Sequence, residues 1–407
     1  MSHAATESSS IYSYPFIALC LIAFFGFGNI AVFYNFYSYL GEIGISPVWR
    51  AWLLALQPLA AFVLRPVVSP WLNGSNGANV VCASLVLNGI VLLLYPLATG
   101  VAALFAIRAL HGVAFVFLVS ASLALLVELI PTEKSGAMFG IFTLNTLIPF
   151  AAVPPLIGWL LPHVDGMGTI YSWSAVVILP SLLLMLPLRN RHHKGTTISS
   201  VAKRPSWIQI RKNLATPGLA IIMAANFFTY MTTTLLFYFM NDYGSAIHLE
   251  NPGYFFSISL GGTIILRVVG NMIFDKFDQR KLLMGSLLVL AMSCGAFMAA
   301  PTPQLFLACA FVYGGSLGFA LPLLQSIMFR VSTPAMRGLN ANLMLTATDA
   351  AYFAGPFAGG VLLSAGVPFT GLFMVAAVQG IVALICILAV RKPEEQPSWP
   401  SIRHSTP

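Results

Sequence analysis

The sequence predicts an all-α polytopic membrane protein whose twelve transmembrane helices form two pseudo-symmetric six-helix bundles. Three observations carry that prediction. Of the 407 residues 58% are hydrophobic and only 8% charged, a balance outside the soluble range. A spanning helix needs about 20 apolar residues, and the chain holds a dozen such runs. The chain also matches itself without a gap at an offset of 202 residues: Leu64-Arg65 falls on Leu266-Arg267, Gly112 on Gly314, and Ala152, Pro154 and Gly158 on Ala354, Pro356 and Gly360. Leu or Ala matches are cheap in such a composition, but Arg, Pro and Gly at one constant offset mark a duplicated helical unit.

Residues 1–14 form a polar tail in which Glu7 is the one clearly charged residue. The apolar run after it is too long for a signal peptide and lacks a cleavage site, so it is the first span. Spans are expected at roughly 15–40, 47–72, 78–99, 102–129, 135–161 and 168–188, which make the first bundle, residues 15–188. A linker, 189–214, carries Arg189, Arg191, Lys194, Lys203, Arg204, Arg211 and Lys212 and no Asp or Glu. The second bundle, 215–391, holds spans at 215–240, 252–275, 281–300, 303–330, 337–365 and 368–391, followed by the tail 392–407.

Twelve spans put both termini on one side of the membrane, and positive residues decide which. With the termini inside, 16 of the 20 Lys and Arg are cytoplasmic, and the opposite loops contain none. The net charge of +8 is thereby explained by loops facing anionic lipid, not by nucleic acid. Cys20, Cys82, Cys294, Cys309 and Cys386 all lie in apolar runs at spacings that suggest neither a metal site nor disulfides.

The remaining charges are informative because a bilayer penalises each by a few kcal/mol or more. Arg50 sits at an interface as a snorkelling anchor. Arg65, Arg108 and Arg267 lie inside spans. Asp349 is the one mid-span acid, 12 residues beyond Arg337, or about 18 Å along a helix. His111 is the one histidine within a span.

Two six-span halves joined by a basic loop resemble the major facilitator superfamily, over residues 15 to 391. That family carries Gly-x-Leu-Ala-Asp-Arg-x-Gly-Arg-Arg after its second span. Here the first half reads Ser69-Pro70-Trp71-Leu72-Asn73-Gly74, with Asn73 for the Asp, while Asp275-Lys276 and Arg280-Lys281 keep the acid and bases in the second. Arg108-Ala109-Leu110-His111-Gly112 resembles the Arg-x-x-Gln-Gly motif of proton-coupled members, with His for Gln. Gly355-Pro356-Phe357-Ala358-Gly359-Gly360 is similar to the antiporter Gly-Pro-x-x-Gly-Gly motif, but in the eleventh span instead of the fifth.

The duplication sorts residues by role. A structural role tends to survive in both copies, whereas a substrate or ion site breaks the symmetry. Arg65 and Arg267 are mates, which suits gating or packing; the sharper reading has Arg65 lining the cavity and attracting an anion. Asp349 faces Leu147 in the repeat and Arg108 faces Ala310. Both break it. Desolvation disfavours a carboxylate and a nearby Arg favours it, so Asp349 is the expected proton or cation site, with Arg108 or Arg65 as counter-charge. The competing reading is a permanent ion pair. His111, one turn from Arg108, is a candidate relay or a packing histidine. Asp275, Glu128 and Arg330, with Arg267, are expected gating or interfacial charges.

The resemblance implies that the first, fourth, seventh and tenth spans line a central cavity. Asn29, Tyr34, Asn226 and Tyr230 are then the expected substrate contacts, with Gln57 and Tyr313 as further members. The leading functional expectation is a proton-coupled secondary transporter exporting a small organic molecule by alternating access. An importer, either symporter or facilitator, and a ligand-binding membrane sensor are the alternatives. No cofactor, metal or nucleic acid is expected. The expected partners are a small-molecule substrate, protons or another coupling ion, and the bilayer of a bacterial inner membrane, with the chain acting as a monomer. No nucleophile–base pair or nucleotide-binding loop points to an enzyme or an ATP-driven pump.

Overall fold

The computed structural model describes residues 13–72, 74–98, 100–130, 135–192, 208, 211, 213, 215–273, 277–300, 302–333 and 336–390. Asp275, residues 1–12, the C-terminal tail and most of the linker lie outside the described residues. Helices succeed one another with no strand among the described residues. In the first half they are α1 (Tyr14–Glu42, with a 3₁₀ turn at Val32–Asn35), α2 (Pro47–Val68), α3 (Gly74–Leu94), α4 (Val101–Leu129) and α5 (Ser135–Leu160). Two helices in line, Met167–Val177 and Leu179–His192, make α6. The second half has α7 (Pro217–Phe237), α8 (Tyr254–Ile273), α9 (Gln279–Ala296), α10 (Pro303–Val331), α11 (Arg337–Ser364) and α12 (Phe369–Ala389).

Each of the twelve expected spans coincides with one of these. Ten are long and apolar enough to cross a bilayer. The other two are α8, whose apolar part is Tyr254–Gly270, and α11, which carries Asn340, Asn342, Thr348 and Asp349. A helix that spends hydropathy on polar side chains must face protein or water instead of lipid. The protein is therefore a multi-pass membrane protein. We call the side on which α6 ends and α7 begins the linker face, and the opposite side the far face.

Local chemistry sets the helix starts. Pro occupies the first turn of α1, α2, α7 and α10, where its missing N–H is not needed. Asp278 caps α9 by accepting from the amides of Arg280 (2.9 Å) and Lys281 (3.4 Å). Three far-face turns use glycine in the left-handed region: Gly44 (φ 79°), Gly166 (φ 90°) and Gly366 (φ 82°).

Packing shows the duplication directly. A Cβ on Gly112 would stand 2.6 Å from the Gln57 carbonyl oxygen, so α4 lies hard against α2. A Cβ on Gly314 would stand 1.6 Å from the Ser259 carbonyl oxygen, locking α10 to α8. Both residues of the second pair lie 202 positions beyond the first, so the repeat preserves a helix contact as well as a residue pattern. The halves meet along α2 with α11 and along α5 with α8. At the first seam Gly360 admits Ala51, where a Cβ would come within 2.7 Å of the Ala51 Cα.

Candidate functional site

The charges expected to matter come together across that seam. Asp349, in α11, pairs with Arg65, in the last turn of α2. The guanidinium donates through Nε to Asp349 Oδ2 and through Nη2 to Oδ1 at 3.1 Å. Its Nη1 donates to Ser120 Oγ of α4 at 3.3 Å. This forked geometry suits Arg and is unavailable to Lys. Both residues are buried, at 8% and 7% exposure. A charge pair taken out of water stands only if its geometry repays the desolvation, and losing one partner leaves the other stranded. The sequence leaves Arg65 and Arg108 as alternative counter-charges; the structure places Arg65 there.

Arg108 does something else. It is fully buried, and its Nε and Nη2 donate to the carbonyls of Leu53 (2.9 Å) and Leu54 (3.3 Å). Pro58 explains the second bond: without an N–H it leaves the Leu54 carbonyl without its helical donor. The rings of Phe33 and Phe36 cover the guanidinium at 5.0 and 4.5 Å, and Tyr95 and Tyr238 add hydroxyls. Arg108 thus holds its charge with dipoles and π faces and with no carboxylate among the described residues; of the two alternatives for Asp349, it is the one that lies elsewhere. His111, also fully buried, shares the Tyr95 hydroxyl through Nδ1 at 3.1 Å, and its Nε2 has no partner among the described residues. It belongs to the Arg108 cluster and not to the Arg65–Asp349 pair.

The far face is closed by contacts between the halves. Asn241 Nδ2 donates to Asn35 Oδ1 at 2.7 Å, and Ser38 Oγ donates to Asp242. Tyr37 meets Phe239 at 5.2 Å and Tyr34 meets Phe256 at 5.5 Å. Between α5 and α8, Asn251 Nδ2 donates to the Pro155 carbonyl at 2.9 Å and Ser257 Oγ to the Ala151 carbonyl at 2.6 Å. The Ala151 carbonyl is the one that Pro155 leaves without a donor, so a side chain of the opposite half fills it. In the sequence Asp242 and Asn241 are ordinary loop residues; only a three-dimensional partner distinguishes them.

Several expected substrate contacts are used in packing. Tyr34 is 1% exposed and part of the far-face seal, and Tyr313 is buried against Phe255 and Phe297. Asn226 pins α7 to α11 by donating to Thr348 Oγ1 at 2.9 Å. In this conformation the side chains of all three are engaged by neighbouring helices. Gln57 is buried where α4 crosses α2. Asn29 is buried with its Nδ2 unpartnered among the described residues. Tyr230 is half-buried and tilts against Tyr352 at 6.0 Å, and Arg267 lies near enough for its charge to reach that phenol. Glu128 and Arg330 are exposed at the linker-face ends of α4 and α10. A cavity of 160 Å³ lies between α1, α4 and α5, and none of the seven expected contacts lines it.

Two duplicated six-helix bundles, sealed at one face and bridged by a buried ion pair, define the class of alternating-access membrane transporters. The sequence pattern of the Major Facilitator Superfamily matches residues 17–270 and again 252–406, and the chain belongs to that family. It is a transporter and not an enzyme. Multidrug resistance protein MdtG of Klebsiella pneumoniae (strain 342) is 24% identical over 408 residues, 95% of each chain. Among solved structures, the nucleoside transporter NupG superposes with a TM-score of 0.71 at 15% identity, covering 92% of this chain and 98% of its own. A D-xylose–proton symporter gives 0.72 at 12% identity, with 94% and 98% covered. The two structures share the fold.

Proposed function

We propose that the protein is a proton-coupled exporter of a small organic molecule, with Asp349 carrying the proton and Arg65 serving as its counter-charge. The single observation behind this is the Arg65–Asp349 fork, buried on the seam between the halves. Binding a proton to Asp349 removes the anion and with it most of the attraction holding α2 to α11 at that level. Releasing the proton restores it. A carboxylate whose protonation state and interface are linked in this way converts a proton gradient into a preference for one conformation.

We assign the sealed far face and the formed ion pair to a proton-free state that opens toward the linker face. In the proposed cycle this state accepts substrate from the cytoplasm of a bacterium, with the termini and linker on that side. Opening of the far face releases substrate and admits a proton to Asp349. The protonated form then returns. Export is favoured by the resemblance along nearly the whole chain to a protein named for multidrug resistance. An importer using the same pair is the second reading, since a D-xylose–proton symporter shares the fold.

The test compares small molecules inside cells and in their medium for cells lacking the gene, carrying it, or carrying Asp349→Asn. A compound that leaves only wild-type cells supports export and identifies the substrate. A compound that instead accumulates within wild-type cells establishes import.

A further inference from the structure

The space between α1, α4 and α5 has the dimensions and chemistry of a ligand site. Its volume is 160 Å³, and Ala23, Phe27, Leu118 and Phe142 make its wall predominantly apolar. An engineered cavity of about 150 Å³ lined by Leu, Ile and Phe stays dry and takes up benzene. The present cavity therefore has room for one aromatic ring. Phe27 already meets Phe115 edge-on at 5.8 Å, so ring-to-ring packing is the local habit of this region.

Ser122 makes the cavity more than a packing defect. It lines the space at 4% exposure, and its hydroxyl has no hydrogen-bond partner among the described residues. Several buried serines elsewhere in the helices bond back to a carbonyl three or four residues earlier, whereas Ser181 shares the unbonded state of Ser122 but does not line this cavity. Ser84 reaches the Val80 carbonyl at 2.7 Å, Ser174 that of Ile170 at 2.8 Å and Ser316 that of Tyr313 at 2.6 Å. Thr146, on the same cavity wall, is satisfied by the Thr143 carbonyl at 2.8 Å. A buried hydroxyl left unpaired costs about 1–3 kcal/mol, which a ligand bearing a donor or acceptor recovers.

We infer that this cavity is a substrate subsite for a single aromatic ring carrying one hydroxyl or comparable polar group, held by the Phe27 and Phe142 rings and hydrogen-bonded by Ser122. The inference rests on the proposed transport of small organic molecules and names their class. Its position suits that role. Ser120, two residues before Ser122 on α4, accepts from Arg65 Nη1 at 3.3 Å, so one helix contacts the ion pair and lines the cavity within a single turn.

The test uses the full chain in phospholipid nanodiscs, with 4-fluorophenol and fluorobenzene as probes followed by fluorine NMR and empty discs subtracted. Wild type is expected to prefer 4-fluorophenol by about five-fold, the worth of one neutral hydrogen bond. Ser122→Ala, which preserves the cavity, is expected to abolish the preference while retaining fluorobenzene binding. Ala23→Leu, which fills the space, is expected to remove both. Absence of wild-type binding, a preference that survives Ser122→Ala, or binding that survives Ala23→Leu would overturn the inference. Stronger displacement by 1-hexanol than by phenol would assign the space to an acyl chain and overturn it as well. Because binding is read without transport, its failure is distinct from failure of proton coupling at Asp349.

Discussion

Arg108 Nη2 lies 3.3 Å from the Leu54 carbonyl, the acceptor that Pro58 deprives of its helical donor. The relationship gives this fully buried charge a structural role, because it closes a gap that a proline opens in the neighbouring helix. Ser257 does the same for the Ala151 carbonyl below Pro155, at 2.6 Å, but across the two halves. One proline repair lies within the first bundle, and the other joins the two halves across α5 and α8. The distinction separates residues that stabilise the fold from residues that select a conformation.

Arg108→Ala is expected to destabilise the protein by about 1–3 kcal/mol, the cost of an unsatisfied buried acceptor. Pro58→Ala in that background returns an amide hydrogen to the Leu54 carbonyl and should recover part of the loss. Thermal unfolding of the detergent-purified single and double variants measures both effects. Equal stability of the two would remove the proline-repair account.

Ser257→Ala and Asn241→Ala each remove one hydrogen bond made between the halves. Each is expected to shift the balance toward the far-face-open form by roughly 0.5–1.5 kcal/mol, with little change in unfolding temperature. Alkylation of a cysteine placed at Tyr34, which is sealed in this conformation, should accelerate by up to about ten-fold.

Two glycines of the repeat should give different results. Gly314→Ala forces α10 off α8 within one bundle, where a Cβ would meet the Ser259 carbonyl at 1.6 Å. Gly360→Ala instead separates α11 from α2 at Ala51, between bundles. The first should lower the yield of folded protein through a loss of about 1–3 kcal/mol. The second should leave folding largely intact and favour the far-face-open form, as read by the same cysteine labelling.

The architecture is legible in the sequence because hydrophobic runs, loop charge and a 202-residue offset are properties of the chain read in one dimension. Asp349 and Arg65 are legible too, since a charge in an apolar run is conspicuous whatever it faces. Their partnership is not. Asp349 and Arg65 are 284 residues apart, and the sequence leaves Arg108 an equal candidate. Tyr34, Tyr313 and Asn226 have residue types that suit a substrate wall, and helical facing, which the sequence does not give, sets them against neighbouring helices in this conformation. Asp242 escapes notice for the opposite reason: an acid just beyond the end of an expected span is ordinary until Ser38 arrives from the other half. Ser122, a serine among apolar residues, becomes distinctive only when its hydroxyl is found unbonded.

The most direct test of the central claim is substrate-driven proton movement across proteoliposomes containing wild type or Asp349→Asn, with substrate exchange followed in the same vesicles. Wild type should move protons when substrate is added. Asp349→Asn should exchange substrate without moving them. Undiminished proton movement by the variant would contradict the assignment of Asp349 as the coupling group.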